Sequence, residues 1–214
     1  MASSRLSHQY QHLDYLAHNQ ANLTTPGFMA RDSGYRQGEF SSWLRERGGS
    51  VAATDNPLDV ALPERAYLQI ETAQGTRLTR RGDLRLDEQN RLVVGMGWPV
   101  LSDSGNPIVV PAGRPRVTAD GTVFDGGQAV GRMARVTTDS VDGQGSWLVP
   151  GQGLSTRPDT RDLLVSQLES SNVETAEEQS VLVNLIQRTK VLGELVQTQD
   201  QILEKAIREI GRGR

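Results

Sequence analysis

Turn-forming residues are sorted by position along this chain. Of its 22 glycines, 14 fall between Gly75 and Gly153, and eight of its nine prolines fall between Pro57 and Pro158. From residue 159 to residue 210 there is no proline and one glycine, Gly193. Proline fixes φ and lacks an N–H, and glycine alone takes left-handed backbone freely. A block crowded with both therefore reads as many short strands joined by turns, and a stretch nearly free of both reads as a long helix. The fold class expected is α+β, with N- and C-terminal helices packed as a coiled-coil-like layer and an antiparallel β-domain between them.

Inside the block, Ala66, Leu68 and Ile70 alternate with Tyr67, Gln69 and Glu71, as a half-buried strand requires. Asp87-Glu88-Gln89-Asn90, Asp103-Ser104-Gly105-Asn106 and Asp120-Gly121 are turn signals between apolar runs. The connections are short, so antiparallel pairing is expected. There is no βαβ rhythm, which argues against a nucleotide-binding doubly wound sheet.

The two ends read as helices. Leu6, Tyr10, Leu13 and Ala17 recur at helical spacing, and Pro26-Gly27 stops the pattern. Ser171 and Glu174 fit a capping box before a long helix. Leu182, Leu185, Thr189, Leu192, Val196, Gln199, Leu203, Ala206 and Ile210 then step by three and four, a seven-residue repeat that forms the seam of a coiled coil or bundle. A helix of about 36 residues would be roughly 54 Å long. The N-terminal stripe covers only part of that length, so neighbouring subunits are the natural supply for the rest. Four regions follow: residues 1–28, an N-terminal assembly helix with its Thr-Pro-Gly-Phe motif; 29–56, an irregular arm; 57–167, the antiparallel β-domain; and 168–214, a C-terminal assembly helix.

Composition excludes several function classes. The chain has no cysteine, which removes disulfides, thiolate zinc sites and cysteine nucleophiles. A net charge of −3 gives no global basic field for nucleic acid. No run of about 18 apolar residues exists to span a membrane, and the first 16 residues lack the basic start and apolar core of a cleavable secretion signal. His8 and His12 are four apart, as metal ligands on a helix can be, but no third ligand stands beside them. Neither metal nor cofactor is expected. His18 has no serine in a nucleophile elbow to pair with. Arg77, Arg80, Arg81, Arg85 and Arg91 cluster, but Asp83, Asp87 and Glu88 interrupt them, and a solvated sheet face is the favoured reading. Gly126, Gly127 and Gly131 lack the ending of a phosphate loop and read as a hairpin bend. Trp98 and Trp147 read as β-core. No catalytic residue can be nominated.

Several blocks in a fixed order resemble the rod and hook family of the bacterial flagellum. Asn19, Ala21, Asn22, Thr25, Pro26, Gly27 and Phe28 match an Asn-rich segment ending in Thr-Pro-Gly-Phe. Ser171, Asn172 and Val173, with Glu177 and Glu178, match Ser-Asn-Val followed by paired acids, and Arg188 matches an arginine in the helix after them. Between these lie residues 56–61, 78–84, 105–111 and 120–123 in the family's order, although Pro63-Glu64-Arg65-Ala66-Tyr67 stands where the family usually carries Gly-x-Gly-Phe-Phe. The resemblance implies a structural subunit and not an enzyme. Its terminal helices would assemble with other rod subunits, itself and paralogues, into a helical shaft that carries motor torque. It implies passage through the flagellar type III export apparatus without a cleavable signal, and a place in the rod within the periplasm. The interface residues implied are Leu6, Tyr10, Leu13, Ala17, Asn19, Asn22, Thr25, Pro26, Gly27, Phe28, Asn172, Val173, Leu182, Leu185, Arg188, Leu192, Val196, Leu203, Ala206 and Ile210. A reading from another class is a secreted β-binding module oligomerised by a coiled coil, which the low aromatic content disfavours.

Overall fold

Each turn signal in the Gly- and Pro-rich block ends one short strand and starts the next. The structure, a computed structural model, describes residues 2–144, 147–151, 155–174, 179–181, 183–184, 186–187 and 190–191. Among them one long helix, α1 (Ala2–Ala21), precedes a series of strands. These are β1 (Arg31–Arg36), β2 (Glu39–Leu44), β3 (Val51–Ala53), β4 (Val60–Ala61), β5 (Ala66–Thr72), β6 (Gly75–Thr79), β7 (Leu84–Leu86), β8 (Leu92–Val94) and β9 (Trp98–Pro99). They continue as β10 (Pro115–Val117), β11 (Thr122–Asp125), β12 (Gln128–Arg132), β13 (Arg135–Thr137), β14 (Val141–Gln144), β15 (Trp147–Pro150), β16 (Arg157–Pro158), β17 (Leu164–Val165) and β18 (Gln167–Glu169). The chain forms two compact units. One holds Met1–Gln20, Asp32–Ser42 and Glu174–Arg214, and the other holds Ala21–Arg31 and Trp43–Val173.

The second unit is built on a six-stranded antiparallel sheet in the order β14-β15-β6-β5-β13-β16. Alternation along β5 sends side chains to opposite faces. Ala66, Leu68 and Ile70 join a core with Val60, Leu84, Leu92, Val100, Ile108 and Met133, and Trp98 and Trp147 pack against it. Tyr67 joins a second core with Met29, Leu44, Leu78, Val136, Val141 and Leu148. Both faces are covered, which is why Tyr67 is as well buried as the residues the alternation singled out. Three-stranded sheets β7-β8-β9 and β10-β11-β12, and the pairs β3-β18 and β4-β17, complete the unit.

Turn chemistry sets the registers. Gly126 and Gly127 both take positive φ (57° and 99°), which makes the two-residue loop that places Asp125 opposite Gln128. The glycine pair is a hairpin bend. At the turn before β11 only Gly121 is left-handed, and Asp120 acts through its side chain instead. Thr118 and Thr122 hydroxyls donate to its two carboxylate oxygens at 2.5 and 2.6 Å. Those hydrogen bonds hold the carboxyl down to about 2.

The expected fold class needs correction. The described residues form a mainly β protein with one long helix, and no packed layer of two terminal helices is among them. Residues 29–56, read as an irregular arm, carry β1, β2 and β3. Residues 168–169, at the start of the expected C-terminal assembly helix, belong to strand β18 (Gln167–Glu169), paired with β3. The physical reason lies in Ser171 and Asn172. Ser171 Oγ accepts from the Val173 N–H rather than opening a helix. The Asn172 amide is taken by backbone groups far away in sequence, which holds the segment out of helical geometry. Residues 179–181, 183–184, 186–187 and 190–191 are helical, and all nine positions of the seven-residue repeat lie outside the described residues.

Two outcomes test this account. Arg65 is a non-glycine residue at φ 56°, a strained backbone for an L side chain. Arg65→Gly should therefore raise unfolding stability by about 1 kcal/mol in a urea titration. Asp120 has its pKa depressed in the fold, so its contribution is present above the unfolded value of about 3.9 and lost as pH falls toward about 2. Asp120→Asn should flatten the acid limb of the stability curve between about pH 4 and pH 2 and leave its slope above pH 5 unchanged.

Candidate functional site

The two end motifs, far apart in sequence, meet in the second unit. After α1 the chain makes two successive turns. Thr25 N–H donates to Asn22 O at 3.1 Å and Phe28 N–H to Thr25 O at 3.2 Å, while Thr25 Oγ1 donates to Asn22 Oδ1 at 3.1 Å. Gly27 then takes φ 60°, and a Cβ there would lie 2.4 Å from the Arg80 carbonyl oxygen. Only glycine permits that approach. Its N–H donates to Glu169 O at 2.8 Å, and Phe28 is 1% exposed.

From the other end, Asn172 N–H donates to Phe28 O at 3.2 Å. Asn172 Oδ1 accepts from Ala30 N–H at 2.6 Å, and its Nδ2 donates to Arg45 O at 2.9 Å and Arg47 O at 2.6 Å. One amide thus joins the Thr-Pro-Gly-Phe segment, the strand-bearing arm and the Ser-Asn-Val segment. Val173 is half-buried beside it.

Beneath this junction lies an ion pair that the sequence reading missed. Arg80 and Glu169 are 4% and 3% exposed. Arg80 Nε donates to both Glu169 carboxylate oxygens, at 3.0 and 3.1 Å, and its Nη2 donates to Oε2 as well. The remaining guanidinium hydrogens go to Pro63 O, Ala66 O and Leu62 O at 3.2, 3.0 and 3.3 Å. Glu169 Oε1 also accepts from Gly49 N–H at 3.2 Å. The guanidinium lies 5.8 Å from the centre of the Tyr67 ring. Burial pushes the Tyr67 hydroxyl's pKa up, against the opposing charge of Arg80.

Arg80 was read as part of a solvated basic face, and the structure corrects that. Of the other members, Arg81 pairs locally with Asp83 and Arg91 with Asp87, Arg85 is exposed, and Arg77 lies 5.9 Å from the Trp147 ring centre. Arg80 stands just past the end of β6, after the consecutive buried residues Leu78 and Thr79, and no periodic pattern in the sequence marks it.

In the first unit, the face that α1 turns toward the β1–β2 hairpin residues differs from the apolar stripe. His8 Nδ1 lies 2.9 Å from Tyr35 OH, and its ring stacks on Phe40 with centroids 4.8 Å apart. His12 Nδ1 lies 2.5 Å from Ser33 Oγ, and burial lowers its pKa against the opposing effect of Asp32. Both histidines have hydroxyl partners, and no group of three potential metal ligands occurs among the described residues. Leu16 and Asn19 are buried. Of the predicted stripe, Tyr10 and Ala17 are exposed and Leu13 is half-buried, while Leu6 lies in α1 with its side chain outside the described set. Leu182, Leu185, Arg188, Leu192, Val196, Leu203, Ala206 and Ile210 also lie outside the described residues. Their described neighbours Val181, Val183, Ile186 and Val191 are exposed. No helix among the described residues is long and apolar enough to cross a membrane.

Known proteins share this arrangement of sequence. The chain is 30% identical over 223 residues to the flagellar basal-body rod protein FlgF of Rhizobium meliloti, covering 94% of this chain and 92% of that one. It is 29% identical over 220 residues to the FlgF of Mesorhizobium japonicum, covering 93% and 91%. It is 28% identical over 183 residues to the flagellar basal-body rod protein FlgG of Bacillus subtilis, covering 74% and 67%. No family model matches the chain.

The buried pair generates a test. Glu169→Gln keeps the shape but leaves the Arg80 charge uncompensated, and should cost about 3–5 kcal/mol in a denaturant titration. The double change Arg80→Met with Glu169→Leu should recover most of that loss, because it removes both charges together.

Proposed function

This chain belongs to the flagellar basal-body rod protein family, and from that premise we propose how its parts build a rod. It is a structural subunit of the flagellar basal body, most like FlgF, and not an enzyme. The terminal segments, residues 1–28 and 168–214, are the assembly segments; residues 57–167 form the domain they carry. Sister chains and paralogous rod proteins complete the apolar surfaces of both segments. The subunit reaches its place through the flagellar type III export apparatus, and the resulting shaft transmits torque across the periplasm.

One observation carries this reading. The histidine-bearing face of α1 is the one that meets the hairpin, whereas on the apolar stripe Tyr10 is 54% exposed, Ala17 is exposed and Leu13 is half-buried. Two exposed positions on that stripe, together with the seven-residue repeat in the C-terminal sequence, favour partners outside the chain. Burial between subunits contributes about 25 cal/mol per Å² of apolar surface, and many modest contacts add along a heterologous, open array. Gly27, Phe28 and Asn172 act differently from the seam. They are occupied within the β-bearing unit, so their contribution is to tie residues 27–30 to residues 169–172 there.

The seam residues give the decisive experiment. Leu185→Asp or Leu192→Asp should abolish rod formation in isolated basal bodies while the purified variant keeps the wild-type strand signal by circular dichroism. Normal rods from either variant would remove the seam from the interface.

A further inference from the structure

In the first unit, α1 meets the β1–β2 hairpin through polar side chains. His8, His12 and Tyr15 fall on one side of the helix at helical spacing. His8 Nδ1 lies 2.9 Å from Tyr35 OH and its ring stacks on Phe40, His12 Nδ1 lies 2.5 Å from Ser33 Oγ, and Ser42 Oγ donates to Tyr15 OH at 3.4 Å. Strands β1 and β2 pair only with each other. A lone two-stranded hairpin is marginal in water, so contacts from α1 are part of what keeps it ordered.

His12 is the half-buried imidazole at the middle of that contact. On α1, His8 stands one turn before it and Tyr15 one turn after, while Asp14 and His18 are exposed. On the hairpin, Tyr35, Arg36 and Glu39 are exposed and Asp32 is half-buried. In the third segment of the unit, the charged described residues Glu174 and Lys190 are exposed. Burial outweighs the opposing charge of Asp32 and holds the His12 ring below the ordinary histidine value. The Ser33 hydroxyl can accept or donate, so it pairs with either state of the ring and does not set the sign.

We propose that the contact between α1 and the β1–β2 hairpin is acid-labile, with protonation of His12 releasing the histidine-bearing face of the helix. A neutral ring is present in both the docked and the released state above about pH 6.5, so docking is at full strength there. Below that value the released ring takes a proton that the docked ring refuses, and docking weakens as pH falls through the lower, docked value. In the second unit Asp87, Asp120, Asp142 and Asp159 are all held below the ordinary carboxylate value. They stay ionised over the same range, so acid acts on the hairpin contact first. The switch is a property of the single chain and does not depend on the rod reading.

NMR on the purified full chain tests this, following the His12 ring and the amides of residues 32–42 between about pH 7.5 and about pH 5. The ring should titrate below its value in the same chain unfolded in urea. Hydrogen-exchange protection of residues 32–42, corrected for intrinsic exchange, should fall by up to about tenfold per pH unit between the two values. Protection of β5 and β6 should stay constant. His12→Gln, neutral at every pH and still able to hydrogen-bond Ser33, should keep the neutral-pH protection and lose the decline in acid. A folded ring value at or above the urea value would overturn the proposal, as would wild-type protection indifferent to acid or an equal decline in His12→Gln. Where His12→Gln lacks protection even at neutral pH, the ring titration and the wild-type decline decide between these outcomes.

Discussion

Arg80 and Glu169 are each tolerable in the interior only because of the other. A lone buried charge of either sign would cost several kcal/mol, whereas the pair satisfies its hydrogens and lone pairs almost wholly with protein groups. The consequence spreads through the backbone. Glu169 belongs to β18, three residues long and paired with another three-residue strand, β3. A two-stranded ladder of that length is marginal by itself. Arg80 anchors it to the end of β6, to the loop at Leu62–Ala66 and, through Glu169, to Gly49. Gly27 then finds its partner in Glu169 O of β18, close against the Arg80 carbonyl, and Asn172, three residues past Glu169, reaches Phe28, Ala30, Arg45 and Arg47. The junction of the two end motifs is therefore downstream of one ion pair.

What the sequence made legible was local. Asp87, Asp120 and the Gly126–Gly127 pair announce turns because each acts on backbone within a few residues of itself, and each turn is present. The alternation of Ala66, Leu68 and Ile70 locates a core strand for the same reason. Long-range partners left no such trace. Residues 29–56 are polar and rich in glycine, so they read as irregular, yet β3 is a strand because β18 pairs with it across more than a hundred residues. Ser171 and Glu174 have the spacing of a capping box, but spacing cannot reveal that Asn172 between them is claimed by Ala30, Arg45 and Arg47. Nor can a run of arginines show which one turns inward. Charge patterns describe an average face, and Arg80, just past the end of β6, is the exception.

The histidines show the same division between local and long-range information. His8 and His12 share a helix face by spacing alone, and that much was readable. Their partners, Tyr35 and Ser33, are two apart on a strand, a spacing of about 6.8 Å that roughly matches one helical turn plus a fraction. Two periodicities meet across the contact, so a pair suited in principle to a metal is absorbed by hydroxyl groups. On the apolar stripe a third of a turn away, Tyr10 and Ala17 are exposed and Leu13 is half-buried.

Gly27 N–H to Glu169 O, Asn172 N–H to Phe28 O and Ala30 N–H to Asn172 Oδ1 lie side by side where the chain enters and leaves the β-bearing unit. In the rod proposed above, load reaching that unit from a terminal segment passes through several short hydrogen bonds and a buried ion pair loaded together. Those bonds tie residues 27–30 to residues 169–172 within the β-bearing unit, so the two end motifs share one anchorage there.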